Sequence, residues 1–143
     1  MALVPELKDS SIETNIMRII TTILRWFRRG EYDLVMDRAF VKKLCFGRST
    51  ELTIVSGVIA PTGAYHTVDT ESNGASDDLD TINATNFNTG DILILRPEND
   101  ARTVVLKHGT GNLKLTGGDI TLDDEFDTAM LLYDSVLGKW IKV

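Results

Sequence analysis

The run Asp91-Ile92-Leu93-Ile94-Leu95-Arg96 constrains this chain most. Thr89-Gly90 opens it and Pro97-Glu98-Asn99-Asp100 closes it. A second run, Arg102-Thr103-Val104-Val105-Leu106-Lys107, follows that turn and ends at His108-Gly109-Thr110-Gly111-Asn112. Each run is too short for a stable helix and carries apolar side chains on both faces, so each reads as a buried strand covered from both sides. On that reading Ile94 belongs to the core, and a charge placed there unfolds the body.

Shorter segments with the same character surround this pair. Leu52–Val55 and Val58-Ile59 flank Gly57, and Pro61-Thr62-Gly63 turns the chain into Tyr65-His66-Thr67-Val68. Asp69 to Asp80, rich in Ser, Asn, Gly and Asp, reads as a surface loop. Ile82 and Phe87 stand as isolated apolar residues. Leu113-Lys114-Leu115 alternates, Gly117-Gly118 turns, and Ile120–Leu122, Thr128–Tyr133 and Trp140–Val143 complete the series. Nine of the eleven glycines fall in this half, as frequent chain reversal requires. Short strands between Gly, Asn and Asp turns predict a compact β-sandwich or barrel, or a short β-solenoid-like domain. No strict repeat period emerges, which argues against a long solenoid. Trp140 reads as a core or interface residue of the last strand.

Residues 1–48 follow another grammar. Ser10-Ser11-Ile12-Glu13 fits a capping box, and Gly30 fits a stop. Between them Ile12, Ile16, Ile20, Ile23 and Phe27 form a narrow seam of coiled-coil type. A second helix is expected from Asp33 to Gly47, with Leu34, Val41, Leu44 and Cys45 toward one side. Either this arm packs as ordinary core or its seam drives self-association, since short helices depend on tertiary packing in both cases. The predicted organisation is therefore a helical arm over 1–48 and an all-β domain over 49–143.

Charge divides at the same place. Residues 1–48 hold nine Lys or Arg against six Asp or Glu; residues 49–143 hold six against fifteen. Only the arm, with Arg25, Arg28 and Arg29, suits an acidic partner. The acidic body argues against nucleic acid as a partner, because counterion release needs clustered positive charge. The most apolar stretch, Ile16 to Phe27, is broken by Arg18, Thr21, Thr22 and Arg25, too short and polar to span a bilayer. No secretory leader is visible, and a lone cysteine excludes an intrachain disulfide.

Catalytic signatures are sparse. His66 and His108 are the two histidines, and Cys45 sits where a helix would use it as a small hydrophobe. No nucleophile elbow, phosphate-cradling glycine loop or metalloprotease motif occurs, so neither an enzyme nor a cofactor is expected. Two acidic clusters, Asp77-Asp78-Leu79-Asp80 and Asp123-Asp124-Glu125-Phe126-Asp127, are compatible with calcium only in composition. They lack the alternating spacing and closing glutamate of a calcium loop, and solvated turns account for them. A carbohydrate-binding module would need clustered aromatics, whereas Tyr65, Tyr133 and Trp140 are dispersed.

The tracts Tyr65–Glu71, Asp77–Ile82, Thr89–Leu95 and Arg102–Leu113, with Leu131-Leu132-Tyr133-Asp134 and Trp140-Ile141-Lys142-Val143, resemble a β-rich module of tailed-bacteriophage virion proteins. That module occurs in fibres and in capsid decoration proteins. The resemblance covers about residues 57–143 and implies a commonly trimeric virion component without active-site residues. At this length it favours a decoration or cement protein assembled onto the phage shell against the major capsid protein. A tail fibre or tail adaptor is the alternative. The interface residues expected on that view are Ile12, Ile16, Ile20, Ile23, Phe27, Arg25, Arg28 and Arg29.

Overall fold

The computed structural model describes residues 42–143, together with Arg18. The helical arm expected over residues 1–48 lies mostly outside the described residues, as do its seam residues Ile12, Ile16, Ile20, Ile23 and Phe27 and its arginines Arg25, Arg28 and Arg29. The chain divides into two compact units, Met1–Lys43 and Leu44–Val143.

The second unit is mainly β, wound as a solenoid-like stack of about three turns. The first turn carries β1 (Leu52–Thr53) and β2 (Val58–Ile59). The second carries β3 (Tyr65–Asp69), a 3₁₀ turn at Glu71–Asn73, β4 (Ser76–Leu79) and β5 (Thr81–Ile82). The third carries β6 (Ile92–Pro97), β7 (Thr103–Leu106) and β8 (Leu113–Lys114). Strands of successive turns stack in parallel: β1 on β3 on β6, β2 on β5, and β4 on β7.

The chain then reverses. β9 (Ile120–Leu122) lies antiparallel on β7, and β10 (Ala129–Asp134) antiparallel on β6. β11 (Lys139–Lys142) returns along β10 and meets β8 in parallel. The main sheet therefore runs β1-β3-β6-β10-β11-β8.

The short-solenoid expectation holds, and the register explains why no period was visible. Leu52 pairs with Val68, Val58 with Thr81, Ser76 with Thr103 and Tyr65 with Ile94, so the offset between partners changes from pair to pair. The loops absorb the differences.

The core is a column of stacked aliphatic side chains. On β6, Leu93, Leu95 and Pro97 point inward and are buried. Leu95 stands in register with His66 on one side and Ala129 on the other; Leu93 pairs with Leu131. Leu79 and Leu106 stack in the same way where β4 meets β7. Trp140 closes the column. It is fully buried, with Phe87 edge-on at 5.0 Å and Tyr133 tilted against it at 5.0 Å, and its Nε1 donates to Ile82 O at 3.2 Å. Burying so large a ring while keeping its one donor bonded makes it a core residue, as its place in the sequence suggested.

Three expectations are corrected. Residues 42–47 are not helical, Leu44 is 68% exposed and Cys45 is exposed, so neither joins an apolar helix face. Just beyond, Ser49 N donates to Tyr65 O and Arg48 Nη2 to Thr67 Oγ1, extending the chain along β3. Second, within the segment read as a loop Ser76–Leu79 is a strand, and Ile82, read as an isolated apolar residue, belongs to the strand Thr81–Ile82. Their polar composition hid a pairing that depends on a neighbouring turn to supply hydrogen-bond partners. Third, β6 is fully buried on one face only: Ile92, Ile94 and Arg96 alternate onto the other face and are half-buried.

Candidate functional site

Several of the polar side chains singled out in the sequence hydrogen-bond to the backbone. His66 is fully buried; its Nδ1 lies 2.6 Å from Thr50 O, and its Nε2 accepts from Thr62 N (3.1 Å) and Gly63 N (3.0 Å). That pattern suits a neutral ring with its proton on Nδ1, locked as a cross-turn staple. His108 Nδ1 accepts from Leu115 N at 3.0 Å. Both imidazoles are thus tied to main-chain atoms.

The acidic clusters behave likewise. Asp77 accepts from Glu71 N and Asp78 N at 2.7 and 2.9 Å. Asp127 Oδ2 accepts from Asp123 N and Asp124 N at 3.1 and 3.2 Å, and Asp124 Oδ1 from Phe126 N at 2.8 Å. These are turn-closing contacts, which satisfy amides that no strand partner reaches. Among the described residues no group of three or more His, Cys, Asp or Glu is arranged to hold a metal ion.

Three ion pairs among the described residues brace neighbouring segments, the first between Arg48 Nη2 and Glu98 Oε2 at 3.1 Å. Arg102 Nε lies 2.7 Å from Asp69 Oδ1, both largely shielded, although the N–H is not aimed along the contact; the guanidinium's Nη1 donates to Asn73 Oδ1. Lys107 Nζ meets Asp119 Oδ2 at 2.6 Å on the surface. Hydrogen bonding to Lys107 holds the Asp119 carboxyl below its ordinary value, and the same bond raises the Lys107 ammonium.

The outstanding surface feature is the outer side of the main sheet. One cross-strand row aligns Tyr65, Ile94 and Met130; the next aligns Ile92, Leu132 and Ile141. Val143 extends the first row, its N–H donating to Met130 O at 3.1 Å. Most of these side chains are half-buried, while Met130 is 42% and Val143 70% exposed. Charge borders the rows on several sides: Arg96 beyond Ile94, Lys114 in register with Ile141, and the in-register pair Asp134 and Lys139 beyond Leu132 and Ile141. A contiguous apolar face of this kind marks an interaction surface more often than chance exposure. Its sequence signal was the apolar identity of Ile92 and Ile94 on a strand whose other face was already sufficient for the core.

Beside this face lies a groove of about 410 Å³ lined by Leu44, Phe46, Asn86, Phe87, Asp91 and Ile92, among others. Ile92 belongs to both features, so groove and face are continuous. Among the described residues no helix is long and apolar enough to cross a membrane.

No family model matches the chain, and no curated protein matches it. A solved structure described as "Structure of a chaperone-substrate complex" is similar to part of it. The likeness has 19% identity and a TM-score of 0.40, and covers 62% of this chain and 14% of that one. This chain thus spans a small fraction of that protein's length, and the likeness at this level says nothing of function.

Proposed function

We propose that the chain is a non-enzymatic structural protein of a tailed-phage particle, a decoration or cement protein of the head. On this reading residues 1–48 dock on the shell and gather copies, as a trimer, and the β-body is the solvent-facing knob. The observation that carries it is the apolar outer side of the main sheet, with Ile92, Ile94, Leu132 and Ile141 half-buried and Met130 exposed, set on a body in which His66 and Asp127 hydrogen-bond its own backbone. A body built this way presents surface for assembly rather than groups poised to react. The turn-and-strand tracts between residues 57 and 143 that resemble phage virion modules support the same reading. A tail adaptor uses the same parts with another docking partner.

The deciding experiment is co-sedimentation of the purified chain with tailed-phage capsids, together with light scattering of the free chain. The expected result is an oligomer that binds capsids, with Ile20→Asp abolishing attachment while the β-body stays folded. A monomer that leaves capsids bare, or one that hydrolyses glycans, removes the proposal.

The groove favours a second reading, a carbohydrate-binding module. Phe46 and Phe87 line the groove together with the polar side chains of Asn86 and Asp91, residue types from which sugar sites are built. A glycan array answers it: binding lost on Phe46→Ala supports the module, and no binding by the parent chain rejects it.

A further inference from the structure

We infer that His66 is an acid-sensitive latch: when its ring gains a second proton it releases the entering segment at Ser49–Thr50 and the corner at Thr62–Gly63, and so alters the groove beside them.

The ring has no spare hydrogen-bonding capacity. Thr50 O can only accept, so the Nδ1 that lies 2.6 Å from it carries the proton. Nε2 therefore keeps its lone pair and accepts from Thr62 N at 3.1 Å and Gly63 N at 3.0 Å. An imidazolium is a donor at both nitrogens. Protonation sets an N–H against two other N–H groups, on a side chain with no exposed surface through which water could take over.

The backbone decides which side yields. His66 sits inside the ladder that pairs Tyr65–Val68 with Ile94–Pro97, so its own strand is held. Thr62 and Gly63 lie between β2 and β3, outside any strand, and Thr62 is exposed. A Cβ at Gly63 would collide with Ser49 Oγ, so corner and entering segment lean on each other and move together. The stretch between them is anchored elsewhere, by β2 on β5 and by Ile54 N donating to Asp69 O at 2.9 Å. Opening is thereby confined to the two ends that the imidazole joins.

Charge does not offset the cost. The charged residues on the elements around the ring are Arg48 and Glu51 on the entering segment, Asp69 on β3, and Arg96 and Glu98 on β6 and just after it. None of them hydrogen-bonds to the ring. Arg48 pairs with Glu98, Asp69 with Arg102, Arg96 donates to Glu125 O, and Glu51 is exposed. No carboxylate is bonded to the imidazole to hold a second proton in place.

The consequence reaches the groove. Thr62 and Gly63 line it, as do Leu44 and Phe46 just ahead of the entering segment. Its other lining residues include Asp91, whose carbonyl accepts from Tyr133 N, and Ile92 on β6, and these stay with the main sheet. Acid thus moves one part of the lining and leaves the other. The inference stands whether or not the groove holds a sugar.

The full chain is compared at about pH 7.5 and about pH 5, the interval in which histidine changes charge. Amide protection factors, normalised to free-chain exchange at each pH, are expected to fall roughly tenfold at Ser49, Thr62 and Gly63 and to hold at Tyr133 and Val143. His66→Gln, whose amide can accept but cannot gain a charge, is expected to abolish the pH effect, and His108→Gln to preserve it. Unchanged protection in acid overturns the inference. So does a loss that survives His66→Gln, which assigns it to Glu71 on Ser56 N or to Glu98 on Arg48. Should His66→Gln fail to fold, the ring-proton resonances of the parent, assigned with His108→Gln, replace it. The His66 resonance is expected to shift over the same interval as protection falls. A ring that titrates with protection intact, or one that stays neutral while protection is lost, overturns the latch.

Discussion

Asn112 takes the place of a strand beside Ile82. Its Oδ1 accepts from Ile82 N at 3.0 Å and its Nδ2 donates to Ile82 O at 2.8 Å, so one side-chain amide reproduces both bonds of a sheet neighbour. The same residue's carbonyl accepts from Trp140 N at 2.9 Å, and Trp140 Nε1 also reaches Ile82 O. Second turn, third turn and final strand are thereby locked at one point.

Asn112→Ala is accordingly expected to cost about 1–3 kcal/mol, because it leaves Ile82 N without a partner inside the stack. Ile82 O keeps the Trp140 donor, so the loss should fall on one group rather than two. Urea denaturation of parent and variant measures it; equal midpoints would mean that water replaces the amide without penalty.

Neighbouring positions on β6 should respond oppositely to the same substitution. Leu95 is fully buried, and Leu95→Asp places an unpaired charge in the column, a penalty comparable to the whole stability of a small domain. Ile94 faces outward, so Ile94→Asp is expected to leave the body folded, with a change of about 1 kcal/mol or less. Circular dichroism melts of the two variants decide this, and similar melts would place both residues on the same face.

Gly111 is expected to resist any side chain. Its φ is +51°, and a Cβ there would collide with the Asp80 carbonyl and the Thr81 hydroxyl. Gly111→Ala should therefore destabilise by about 1–3 kcal/mol through backbone strain and displacement of β5. A thermal melt that superimposes on the parent's would show that the turn has room to relax.

The Lys107 and Asp119 pair predicts a modest pH dependence. The Asp119 carboxyl is held down in the folded state, so its contribution is present above the unfolded carboxylate range and fades as pH falls through the folded value. Lys107 is raised, so its share persists below the unfolded lysine value and is lost as pH rises through the folded one. Both groups are substantially solvent-accessible and screened, so the effect should be small. Asp119→Asn should flatten the acid limb of the stability profile; an unchanged limb would assign that slope to other carboxylates.

Much of the architecture was legible because it is local. The apolar run Ile92–Leu95, turn residues around Gly90, Gly117 and Gly118, and the aromatic bulk of Trp140 each identify an element from its own neighbours. Ser76–Leu79 was not legible, since a strand with three polar residues is held by its parallel neighbour β7, which lies beyond the next turn.

By itself the sequence determined that the body is short strands between tight turns, that its charge is acidic, and that its core is aliphatic, because backbone preference and hydrophobic period act over a few residues. Only the tertiary structure decided which strands stack, that Asn112 stands in for one, and that Ile94 looks outward. Those facts depend on partners brought together by chain reversal, and no window along the chain contains both members of such a pair.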